Sequence, residues 1–102
     1  KDFTQAAHWY RRAAEGGDPA AATNLGWCYY NGQGVTQDRS EAAKWYRNAA
    51  EKGLAAAQYN LACCYENGRG VPVNKAEAIK WYQEAADQGH EHAIAALAAL
   101  KG

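Results

Sequence analysis

The chain has 102 residues, with 11 basic and 11 acidic side chains that cancel to a formal net charge of zero. That length allows one domain, and the balanced charge excludes broad electrostatic capture of nucleic acid or an acidic membrane, both of which need a basic excess. No apolar run nears the ~20 residues of a membrane span, and no secretory signal pattern is present.

The chain opens at Lys1-Asp2 in mid-register, as a segment cut from a longer protein would. The first predicted helix covers residues 3–15, with Asp2 and Gln5 forming a capping box at its start. The second covers residues 19–31. Asp18 caps it, and Pro19 takes the first helical position, where a missing N–H costs nothing. Ala21, Leu25, Cys28 and Tyr29 make its apolar stripe, and Gly26 lets a neighbouring axis come close. Asn31-Gly32 closes the helix, and Gly34-Val35 turns the chain back, with Val35 and later Val71 placed to plug the gap between helices. The glycines Gly32 and Gly34 have neither a preceding strand nor a Lys-Ser/Thr partner, so a turn explains them better than a phosphate loop does.

The third predicted helix, residues 39–52, puts Ala42, Trp45, Tyr46, Ala49 and Ala50 on one face. Asp38 and Glu41 cap it, and Gly53 stops it from the position where a left-handed residue is needed. The fourth, residues 55–66, repeats the second with Ala57, Leu61, Cys64 and Tyr65, then Asn67-Gly68-Arg69-Gly70-Val71. The fifth, residues 75–87, starts at Asn74 with Glu77 and carries Trp81-Tyr82. A sixth covers residues 91–101.

These elements recur every 36 residues, as Trp9-Tyr10, Trp45-Tyr46 and Trp81-Tyr82 show most plainly. Such a period is the mark of stacked supersecondary units. Residues 18–53 and 54–89 make two complete units, flanked by an orphan second helix in residues 1–17 and an orphan first helix in residues 90–102. The run Asn24-Leu25-Gly26-x-x-Tyr29-x-x-Gly32-x-Gly34-Val35, followed by Ala42-x-x-Trp45-Tyr46-x-x-Ala49-Ala50-x-x-Gly53, resembles the Sel1-like repeat, a relative of the tetratricopeptide repeat. The resemblance implies an all-α, right-handed α-solenoid of six helices that serves as an adaptor or scaffold in protein complexes. Trp9, Trp45 and Trp81 are expected in the repeat core.

Catalysis finds little support. Ser40 is the only serine and lies in the first turn of a helix, with no histidine near it in sequence. His90 and His92 are two residues apart, which on a helix points them in nearly opposite directions, so solvent exposure is expected rather than a shared metal. Cys28, Cys63 and Cys64 lack metal-ligand spacing and read as small buried hydrophobes in a reducing compartment. One cysteine-rich bacterial branch of the resembled family staples each repeat with a disulfide. The corresponding positions here are Ala14/Ala22, Ala50/Gln58 and Ala86/Ile94, so the staple is absent. A penicillin-binding activity linked with that branch has no Ser-x-x-Lys to rest on. No cofactor or metal is expected.

Differences between copies carry the functional reading. The face of helix 19–31 opposite its stripe holds Thr23, Trp27, Tyr30 and Asn31. Trp27 corresponds to Cys63 and Ala99, Tyr30 to Glu66, and Thr23 to Tyr59 and Ala95. By resemblance, the first helix of each repeat lines the concave side. Thr23, Trp27, Tyr30, Asn31, Tyr59, Cys63, Glu66 and Asn67 are therefore the candidate contacts for a protein or peptide partner, with Trp27, Tyr30 and Tyr59 as anchors. The competing reading folds Trp27 over the adjacent helix to fill space beside small alanines. Asn24 and Asn60 suit either a peptide backbone or a neighbouring turn. Arg11, Arg12, Lys44, Arg47, Asn48, Lys80 and Glu84 form a mixed-sign, solvated outer face. A rival function is a spacer within a longer solenoid, whose open terminal helices would promote self-association.

Overall fold

A computed structural model describes residues 2–101; Lys1 and Gly102, the ends of the expected domain, lie outside the described residues. The helices are α1 (Phe3–Glu15), α2 (Pro19–Asn31), α3 (Arg39–Glu51), α4 (Ala55–Asn67), α5 (Lys75–Asp87) and α6 (Glu91–Lys101). Each packs mainly on its neighbours in sequence, giving an elongated stack of 42 × 24 × 21 Å with no strand among the described residues. The predicted bounds differ by one residue at the C-terminal ends of α3 and α4, where helices fray.

Local chemistry explains the starts and stops. The side chains of Asp2, Asp38 and Asn74 accept from the backbone N–H groups of Gln5, Glu41 and Glu77 at 3.1–3.2 Å. The other half of the expected box is replaced in α3 and α5. The N–H groups of Asp38 and Asn74 donate to the carbonyls of Tyr29 and Tyr65 at 2.9 Å, so the end of one helix satisfies the start of the next. Gly34 and Gly70 both adopt φ +79. A Cβ at either would fall 2.1 Å from the carbonyl oxygen of Phe3 or Arg39, so each turn lies directly on the first turn of an earlier helix.

The core is built from alanines, Leu25, Leu61, Cys28, Cys64, Tyr46 and Tyr82. Gly26 is required by Tyr46, whose ring edge would be 2.7 Å from an added Cβ. The three repeat tryptophans do not share one environment. Trp81 is 7% exposed, Trp45 is half-buried, and Trp9 is 56% exposed. The expectation of a core Trp9 is corrected, because α1 packs chiefly on α2 alone whereas α5 lies between α4 and α6. The Trp9 ring is met by Arg12, over it at 5.4 Å from its centroid, and by His8 at its edge, both from its own helix.

Polar ties repeat along the stack. Lys52 donates to the Gly17 carbonyl at 3.2 Å, and Gln88, one copy later, donates to Gly53 at 2.9 Å. Arg11 and Arg47 are less solvated than expected: each is half-buried and donates to a tyrosine hydroxyl of the following helix, Tyr29 and Tyr65 respectively. At the staple position of the second copy, buried Gln58 donates to the Ala50 carbonyl at 3.1 Å and accepts from Gln88 at 3.0 Å. A hydrogen-bonded amide thus ties the two helices there.

Candidate functional site

Trp27 stands on α2 with 46% of its surface exposed. On one side it borders an open cavity of about 270 Å³. Its walls are Trp27, Tyr30 and Asn31 from α2, Tyr46 from α3, Asn60, Cys63 and Cys64 from α4, and Arg69 from the turn after α4. On its other side lies a cavity of about 290 Å³ against Phe3, Ala6 and Tyr10 of α1 and Asn24 of α2. Trp27 is therefore a ridge between two hollows rather than a plug in either.

Tyr30 is held from three directions. The Arg39 guanidinium lies 4.4 Å from its ring centroid. Arg69 Nη1 donates to its hydroxyl at 2.5 Å, and Gln37 donates to its backbone carbonyl at 2.9 Å. Arg69 reaches this position because Gly70 seats its turn on the Arg39 backbone.

The remaining predicted residues separate. Thr23 donates to the Pro19 carbonyl at 2.9 Å. Asn31 and Asn67 donate to the carbonyls of Trp27 and Cys63 at 3.1 and 3.0 Å. All three side chains thus satisfy their own helix four residues back. Tyr59 joins a second cluster instead of the Trp27 cavity. Its ring stacks on His90 at 5.0 Å and lies 5.8 Å from Tyr82 and 6.0 Å from His92. The Tyr82 hydroxyl donates to Glu66 at 2.6 Å and sits 3.3 Å from the Cys63 sulfur. Cys63 is the one predicted residue that touches both groups.

The histidine expectation holds for His92, which is exposed, and is corrected for His90. His90 and His92 place their rings 5.9 Å apart, on the same side. The angular argument fails because His90 precedes α6: its Nδ1 accepts from the Ala93 N–H at 3.2 Å and its carbonyl from Ile94, as a capping residue does. His90 is half-buried as a result. No group of three or more His, Cys, Asp or Glu side chains is disposed to hold a metal ion among the described residues.

The thiols are poor nucleophiles where they are deepest. Burial pushes Cys64 up to about 11, with Cys63 adding to the rise and Arg69 and Arg39 opposing it. Burial also raises Cys28. Cys63, expected to be buried, is only half so, because it opens onto the cavity.

Sequence reasoning missed Arg39 and Arg69. The signal was present: Arg69 is the variable residue of the Gly-x-Gly turn, where the earlier copy has Gln33, and Arg39 corresponds to Phe3 and Lys75.

The Sel1 repeat profile matches residues 1–18, 19–54 and 55–90. No curated protein matches the chain. Among solved structures, a protective antigen present in uropathogenic Escherichia coli strains, c5321, which displays an SLR fold, is 41% identical with a TM-score of 0.89. The match covers 90% of this chain and 20% of that one. A Sel1 repeat protein from Oxalobacter formigenes is 43% identical with a TM-score of 0.80, over 81% of this chain and 34% of that one. Cysteine rich protein B of Helicobacter pylori is 27% identical with a TM-score of 0.85, over 89% and 68%. The chain thus spans a minor part of the first two relatives. With the repeat matched along most of its length, it belongs to the Sel1 repeat family of helical solenoids, which are typically non-catalytic and generally serve as protein-interaction scaffolds.

Proposed function

We propose that this chain is a noncatalytic adaptor that holds an extended peptide or a partner helix across the face of α2 and α4, with Trp27 and Tyr30 as anchors. The observation that carries the reading is the Trp27 ridge, an exposed indole with a hollow on either flank. A Trp presents ~150–250 Å², so covering the exposed half contributes roughly 2–3 kcal/mol at ~25 cal/mol per Å², before ordering costs are subtracted. Trp and Tyr are also enriched among the residues that dominate interface energies. The cavity, at about 270 Å³, lies below the ~300–1,000 Å³ of pockets that enclose small molecules and suits a side chain presented by a larger partner. Tyr59, stacked on His90, supports the wall at Cys63 rather than reaching the partner.

The test compares the chain with its Trp27→Ala/Tyr30→Ala variant in a pull-down from a matched lysate, after circular dichroism melts of both. A partner lost with unchanged melting supports the adaptor. A large fall in melting temperature, with no partner held by the parent, supports the spacer reading. The spacer reading draws on the exposed side of α1 at Trp9 and on the greater length of the first two relatives.

A further inference from the structure

We infer that the partner segment is acidic: a peptide whose aspartate or glutamate binds Arg39 and Arg69 while an adjacent aromatic or large aliphatic side chain enters the cavity beside Trp27. This inference rests on the proposed adaptor role and names the chemistry of what the site takes.

Two guanidinium groups converge on one tyrosine, Arg39 over its ring and Arg69 on its hydroxyl. Among the described residues neither lies within ion-pair distance of a carboxylate; the three ion pairs are Arg11–Glu15, Lys44–Glu41 and Arg47–Glu51. Nearby acids are already engaged. Asp38 caps α3 through the Glu41 N–H, and Glu66 accepts from Tyr82. The cavity itself is lined by Arg69 and by no acidic residue. In a chain of zero net charge, this is a local positive excess that the fold leaves uncompensated. A carboxylate placed between planar guanidinium groups would relieve their repulsion and accept paired N–H bonds from them.

The constellation also belongs to one place in the array. Trp27, Tyr30, Arg39 and Arg69 have Cys63, Glu66, Lys75 and Gln33 as counterparts one repeat away. Lys75 keeps the positive charge, so what is particular to this junction is the guanidinium together with the indole of Trp27 and the phenol of Tyr30. Arg69 lines the cavity itself, while Arg39 reaches its rim through the Tyr30 ring.

The experiment pans a phage-displayed library of random peptides on the immobilised chain at low salt. Enriched peptides are then synthesised with a fluorophore and measured by anisotropy against the parent, Arg39→Gln/Arg69→Gln, Arg39→Lys/Arg69→Lys and Trp27→Ala, each checked by circular dichroism. The inference expects enriched peptides with Asp or Glu beside an aromatic or aliphatic residue. Their affinity should fall about tenfold or more in the glutamine variant, less in the lysine variant, and steadily with added salt. Peptides that need Trp27 but bind the glutamine variant as tightly as the parent would overturn the acidic partner and leave the adaptor standing. Enrichment of neutral or basic sequences would do the same. A library that yields no Trp27-dependent peptide overturns both readings.

Discussion

The two halves of this array place the same scaffold positions in opposite situations. In the N-terminal half, Trp9 and Trp27 are exposed, Tyr46 borders an open cavity, and two arginines surround Tyr30 without an acidic partner. In the C-terminal half, Trp81 is buried, Tyr82 reaches Glu66, and Tyr59 lies under His90. A single exchange, Tyr30 for Glu66, decides much of this. Glutamate gives Tyr82 of the following helix an acceptor within the fold, whereas Tyr46, one copy earlier, has no such carboxylate beside it and borders the open cavity instead.

The sharpest contrast is between tryptophans at equivalent positions. Trp81→Ala should destabilise the fold by about 3–5 kcal/mol and Trp9→Ala by less than about 1 kcal/mol in denaturant titrations. Equal losses would mean that the two halves bury this position alike. Next comes the turn that brings Arg69 to Arg39. Gly70→Ala meets a backbone carbonyl and a left-handed φ together, and should cost about 3 kcal/mol; Gly53→Ala, with open space around it, should cost about 1 kcal/mol. A benign Gly70→Ala would show that the turn is not seated as described. A smaller difference separates the paired tyrosines. Tyr82→Phe leaves Glu66 without its donor and should cost about 1–1.5 kcal/mol, while Tyr46→Phe, which loses no hydrogen bond to a side chain, should stay within about 0.5 kcal/mol.

The gentlest effect is on alkaline stability. Cys64 rises in the fold from 9.0 to about 11, so the folded state holds its proton more tightly than the unfolded chain does. Its contribution is intact below pH 9 and is lost as the pH climbs toward 11. Melting temperatures recorded over that window should fall less steeply for Cys64→Ala than for the parent, and parallel slopes would remove Cys64 from the account.

Helices, caps and turns were legible in the sequence because each depends on residues a few positions apart, as Asp38 with Glu41 or Gly34 in its turn. Burial at repeated positions was not, because it depends on how many helices flank a copy: Trp9 and Trp81 are the same letter at the same offset with different neighbours. The burial of His90 was misjudged for a related reason. A periodicity argument assumes that both residues are helical, and His90 is the residue that starts the helix. Arg69 and Tyr30 meet across 39 positions, through a glycine whose packing no local pattern reveals.

The ties along the stack all join a copy to the next one: Lys52 to Gly17, Gln88 to Gly53, Arg11 to Tyr29 and Arg47 to Tyr65. Contacts of such short sequence separation close cheaply in entropy, which favours rapid folding. The chain can therefore nucleate at any helical hairpin and zip outward from it, without waiting for its two ends to meet.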